Sequence, residues 1–141
     1  MHKSQLEEEY SMKKMVSILV VVMIIASLVG CSQKVANPIV LPDESSIQSV
    51  DVSVDDELVN FTDIEWIKQC MSDIANAQAT TKESVNDMPQ VDDYIKIDIN
   101  TNNAVSTLFV YEKNDKYYIE QAYQGIYETD SSFYEMLKEA K

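Results

Sequence analysis

Nucleophilic catalysis needs a base beside the nucleophile, and this chain offers few. Its one histidine, His2, stands next to the first residue, so its Ser and Thr hydroxyls are left with lysine or paired carboxylates as partners. Gly30 and Gly125 are the only glycines and cannot build a phosphate-cradling loop. Cys31, Cys70 and one histidine fall short of a zinc site. Carboxylates are plentiful, 24 against 11 lysines, for a net charge of −13. Glu120 and Glu128 can approach each other across a chain bend, as the acid pair of a glycosidase must, but two solvated glutamates on neighbouring strands explain them more simply. Asn86, Asp87, Asp92 and Asp93 offer hard oxygen ligands for Ca²⁺, yet their spacing is not that of an EF-hand, and they read as a solvated acidic loop. No catalytic, cofactor-binding or metal-ligating residue is expected, and the chain reads as a non-enzyme.

Chemistry of recognition is better supplied. Seven of the eight tyrosines lie between Tyr94 and Tyr134, and tyrosine joins apolar area to a polar handle. The element that positions them is a hairpin. Asn114-Asp115 has the composition of a two-residue turn with positive φ, which sets Lys113 opposite Lys116, Tyr111 opposite Tyr118, Val110 opposite Ile119 and Phe109 opposite Glu120. One hairpin face then carries Leu108, Val110, Tyr117 and Ile119, the other Phe109, Tyr111 and Tyr118. If helices cover the first face, Phe109, Tyr111 and Tyr118 stand open beside Glu120. An apolar strip rimmed by acid fits a cationic, partly hydrophobic peptide. In the alternative reading the same rings are the second half of the core.

The surrounding elements follow from periodicity. Ile47, Val50, Val52 and Val54 alternate with polar residues as in a half-buried strand, as do Ile95, Ile97 and Ile99. Between them, Ile64, Ile67, Met71 and Ile74 recur at helical spacing to about Ala79. Thr62 and Glu65 form a capping box there, and Phe61 is placed to staple against Trp66. Cys70, beside that stripe, reads as a small packing residue. Thr80 to Asp93 has no period and is long for a connection, which marks it as functional or mobile. Gly125 is read as allowing a bend before a short last strand. Ser132 and Glu135 make a second capping box, before the stripe Phe133, Met136, Leu137 and Ala140. The expected fold is α+β: an antiparallel meander of four to five strands packed against two helices.

Upstream, Lys13 and Lys14 precede fifteen apolar residues, Met15 to Val29, without a charge. That is a basic n-region and an h-region of signal-peptide length, shorter than the roughly 20 apolar residues that span a bilayer. The run ends at Leu28-Val29-Gly30-Cys31, which resembles the lipobox of bacterial lipoproteins. The resemblance implies cleavage before Cys31, a diacylglyceryl group on its sulfur and often a further acyl chain, such as palmitate, on the new amino terminus. Two or more chains are what stable attachment requires, at about 0.8 kcal/mol per buried CH₂. The expected location is therefore the extracytoplasmic face of the cell membrane.

Three organisational expectations follow. Residues 1–30 form the signal peptide, with 1–11 a start-site misassignment if translation begins at Met12, because Glu7, Glu8 and Glu9 do not suit an n-region. Residues 31–46 form a lipidated tether, polar and broken by Pro38 and Pro42, with a reach of at most about 50 Å. Residues 47–141 form one domain, whose Cys70 has no disulfide partner once Cys31 carries lipid, so its stability must come from packing. The lysines and glutamates before Cys31 cancel, so the exported part keeps the charge of −13. Nucleic acid and anionic lipid are poor partners for it.

The runs "TTKESVNDMPQVDDYIKI" and "VYEKNDKYYIEQAYQGIY" resemble an uncharacterised domain family of small lipoproteins from Firmicutes-type bacteria, over roughly Ile47 to Tyr134. Asp115 and Ala122 stand where that pattern has Gly and Pro. The resemblance implies an exported, anchored protein and assigns no activity. The resulting expectation is a lipid-anchored extracytoplasmic binding lipoprotein of unknown ligand. Its concrete versions are an immunity-type lipoprotein that sequesters a cationic antimicrobial peptide and an accessory domain of a membrane sensor or transporter. A carboxylate-dependent hydrolase ranks last.

Overall fold

A computed structural model describes residues 34–140. The expected signal peptide and lipobox, with Cys31, lie outside them. Seven antiparallel strands form one sheet: β1 (Ile47–Val54), β2 (Glu57–Phe61), β3 (Gln78–Ala79), β4 (Ile95–Thr101), β5 (Val105–Glu112), β6 (Tyr117–Gln121) and β7 (Gly125–Thr129), in the spatial order β2-β1-β4-β5-β6-β7-β3. Two helices, α1 (Ile64–Ala75) and α2 (Ser131–Lys138), complete the α+β fold. The sheet is larger than the four or five strands expected. The extra two are its edges: β3, whose two residues are too short to display a period, and β2, which the Asp55-Asp56 turn folds back on β1. Among the described residues no helix is long and apolar enough to cross a membrane.

The hairpin register falls where the two-residue turn places it: Phe109 opposite Glu120, Val110 opposite Ile119 and Tyr111 opposite Tyr118. Asn114 and Asp115 take φ of 55° and 58°, and Asp55 and Asp56, joining β1 to β2, take 49° and 66°. These are the left-handed values of a tight hairpin turn, which short polar side chains tolerate.

One sheet face is the main core. Val50, Val52, Ile97, Ile99, Leu108, Val110, Ile119 and Tyr127 meet Ile67, Cys70, Ile74, Phe133 and Leu137 from the helices. Phe61 and Trp66 stack with ring centroids 3.8 Å apart, so the staple forms. The caps sit elsewhere than the capping boxes indicated. Asp63, not Thr62, accepts from the Trp66 N–H, and Asp130 accepts from the Phe133 N–H while Ser132 donates its hydroxyl to that same carboxylate. A carboxylate at the cap also meets the positive end of the helix dipole, which a hydroxyl does not. α1 stops at Ala75, and Gln78 and Ala79 leave it to pair with Glu128 and Tyr127.

The segment expected to be a free tether is, from Ala36 onward, part of the domain. Ala36 N–H donates to the Thr80 carbonyl, the Tyr127 hydroxyl donates to the Asn37 carbonyl at 2.5 Å, and the Gln121 amide both accepts from Val40 N–H and donates to Val40 C=O. Ala36, Ile39 and Leu41 pack against the core. Gly125 is required by this approach rather than by a bend: a Cβ there would collide with the Ala36 methyl. The positive φ of the β6–β7 turn falls on Tyr123, at 61°.

Candidate functional site

The second sheet face divides into two halves. Over β1, β2 and β4 it is a polar network: Asn60 and Asn100 donate to Asp51, and Lys96 and Thr107 both reach Asp98. Over β5 and β6 it is aromatic. Phe109, Tyr111, Tyr118 and Glu120 are there, as the alternation requires, but they are only 5%, 4%, 5% and 5% exposed. The open strip is therefore corrected to a covered one, and the reading in which these rings extend the core describes them.

What covers them is the chain between β3 and β4. β3 pairs with β7 at one edge of the sheet while β4 lies between β1 and β5, so residues 80–94 must cross the sheet and do so over the aromatic half. Ser84 and Pro89 are buried in that crossing. Ser84 Oγ donates to Glu120 Oε1 at 2.7 Å, and the Tyr111 hydroxyl donates to Glu120 Oε2 at 3.0 Å. Lys82 Nζ stands 4.0 Å above the Tyr118 ring, and Tyr94 meets Phe109 edge-on at 5.2 Å. Burial, with the Glu120 charge adding to it, raises the Tyr111 hydroxyl well above the ordinary tyrosine range. Glu120 is thus a fully bonded buried acceptor with no free oxygen toward solvent.

The other sequence-level candidates separate. Glu128 is held by Lys116 Nζ at 2.9 Å, while Glu120 is bonded to Ser84 and Tyr111, so each glutamate has its own partners. Asp87 accepts from the Tyr123 hydroxyl, and among the described residues no three of His, Cys, Asp or Glu gather as a metal site. Cys70 is a free, fully buried thiol, pushed up to about 12 by burial and then by the Asp73 charge.

An open apolar groove does exist, at the opposite sheet edge. Val59, Phe61, Trp66, Met136 and Ala140 form its floor and Ser132, Glu135 and Glu139 its rim, and it is a shallow, open depression of about 610 Å³. Among the described residues β2 is an edge strand with only β1 beside it. Because Val54 and Glu57 flank a two-residue turn, the alternation of an antiparallel ladder leaves the N–H and C=O of Leu58 and Asn60 pointing away from the sheet. Leu58 is 65% exposed. The sequence flagged Phe61 and Trp66 only as a staple. The signal that the strip continued to Val59 and Met136 lay in two apolar stripes far apart in the chain, which nothing local joins.

Compared with known proteins, residues 35–128 match a family described as a domain of unknown function (DUF5300). The chain belongs to this DUF5301 family. The match begins at Val35, twelve residues before β1, and so takes in the N-terminal segment packed against the core. An NMR structure of a protein from Ruminococcus gnavus is similar at 33% identity and a TM-score of 0.60, over 69% of this chain and 99% of that one. None of the curated proteins matches.

Proposed function

We propose that this DUF5301 protein is a lipid-anchored extracytoplasmic binding protein that captures a cationic, partly apolar peptide along the β2 edge. The address rests on the basic n-region, the fifteen-residue apolar run and the lipobox ending at Cys31. The carrying observation for the ligand is the groove: an apolar floor with two exposed carboxylates, Glu135 and Glu139, on its rim, beside unpaired strand edge. An extended peptide adds to such an edge by main-chain hydrogen bonds, with alternate side chains entering the groove. Of the side chains that enter the groove, the apolar ones would lie on Phe61 and Trp66 and the basic ones against the glutamates. An immunity-type role is the case in which that peptide is antimicrobial.

Trp66 is the chain's single tryptophan and lies on the groove floor, so its emission reports occupancy directly. Titrating the full chain in detergent with a peptide repeating Val-Ser-Lys-Ser, whose valines and lysines share one strand face, should shift that emission saturably. The affinity should fall several-fold in the Glu135→Gln/Glu139→Gln variant and on adding salt, which screens exposed charges. Emission that stays flat to millimolar peptide would reject the ligand class.

A further inference from the structure

We propose that the end of the domain where the N-terminal segment, the start of the 80–94 crossing and the β6–β7 turn meet is its membrane-facing surface, seated on the outer leaflet that holds the Cys31 lipid. The inference rests on the anchored reading of the previous subsection and adds the orientation it leaves open. Its first support is chain length. Ala36 is already bonded to Thr80, and only four residues separate it from Cys31. At roughly 3.5 Å per residue the reach from lipidated cysteine to the domain is under about 20 Å, so the domain cannot hang free above the bilayer.

The second support is what stands around that point. Lys34, Val35, Lys82, Val85 and Tyr123 line one shallow cleft of about 220 Å³. Val35, Val85 and Tyr123 are 54%, 63% and 67% exposed, three of the nine exposed large apolar side chains among the described residues. Tyrosine and flanking lysines are the side chains that settle at a bilayer interface, the ring at headgroup depth and the ammonium groups on phosphate. The third support is charge. Glu83 also lines the cleft and Asp87 accepts from the Tyr123 hydroxyl, so this end is near neutral in a chain of −13. Within a Debye length of about 10 Å from phosphate, an anchored acidic domain turns its least acidic end inward. That orientation leaves β2, at the other edge of the sheet, facing away from β7 and β3 and open to a peptide.

The test uses the full chain, reconstituted into phosphatidylglycerol/phosphatidylcholine vesicles containing headgroup spin-labelled lipid. A fluorophore is attached at Val85→Cys or, separately, at Leu58→Cys; Cys70 is buried and does not compete. Quenching at least threefold stronger at position 85 than at 58 is expected, with the contrast reduced at least twofold by Lys34→Ser/Tyr123→Ser. Equal quenching at the two positions, or stronger quenching at 58, overturns the orientation. An unchanged contrast in the double variant also overturns it, since the tether alone would then set the geometry. Shielding of position 85 in detergent that grows with protein concentration would assign the face to a second copy and likewise overturn it. Mass spectrometry of the same preparation separates the two readings. No acyl mass on Cys31 removes both the anchor and the surface built on it, whereas an acylated chain with equal quenching removes only the surface.

Discussion

Glu120 shows how a single residue changes meaning with its surroundings. As a carboxylate next to tyrosines it suggests recognition; with Ser84 and Tyr111 donating to its two oxygens under a covering segment, it is a structural acceptor. A buried acceptor that loses its donor costs about 1–3 kcal/mol, so Tyr111→Phe should lower unfolding stability by that amount in denaturant titrations, although it removes only one oxygen atom. Cys70 makes a pH prediction at the same scale. Its thiol is raised from 9.0 to about 12 in the folded chain, so the unfolded state loses its proton first. Stability is then independent of this group below pH 9.0 and falls between pH 9.0 and about 12, by about 1.4 kcal/mol per pH unit. Tyr111, raised in the same direction from 10.0, adds to the loss above that pH. Chemical unfolding across this range should show the decline, and Cys70→Ala should flatten its first part. Gly125 carries a third consequence. A methyl group there meets Ala36, and overpacking of this kind costs about 1–3 kcal/mol. Gly125→Ala should therefore speed amide exchange at Ala36 and Val40 more than in β4 or β5.

At the scale of elements, α1 separates two readings of one helix start. Thr62 and Glu65 have the spacing of a capping box, but the bond to Trp66 N–H comes from Asp63 at 2.9 Å. Asp63→Ala should destabilise by about 0.5–2 kcal/mol, and Thr62→Ala should leave the thermal midpoint nearly unmoved. Hairpins were legible because a two-residue turn dictates register locally: Asn114-Asp115 placed every facing pair of β5 and β6. The edges were not. β3 is two residues long and owes its existence to β7, and β2 owes its place to the Asp55-Asp56 turn folding it back on β1. The 80–94 crossing has no period because it lies flat on the sheet and is held at isolated points, Lys82, Ser84 and Tyr94.

For the whole molecule, the two faces differ in what closes them: helices over one, an irregular segment over half of the other. That division moves the candidate binding surface from the tyrosine-rich centre of the sheet to its β2 edge. It also leaves less chain for the expected tether, because residues 36–41 are committed to Gln121, Gly125 and Tyr127. The lipid reading is tested independently at this scale. Cys31→Ser should accumulate as an uncut, non-acylated precursor in the membrane fraction, seen as a mass that retains the N-terminal segment; normal processing in that variant would refute it.

The sequence by itself determined the alternations, the central hairpin, the helix stripes and the α+β class, because each depends on neighbours within a few residues and on one repeating angle. Alternation established that both faces of β5 and β6 are apolar, but it carries no information on what lies across from them. Only the tertiary structure decided which face is closed by helices, which by the 80–94 crossing, and that residues 36–41 pack against the core. Those outcomes follow from strand order, in which β3 and β4, consecutive in the chain, stand far apart in the sheet. The connection between them had to pass over Phe109, Tyr111, Tyr118 and Glu120, and passing over them closed the surface that composition alone had left open.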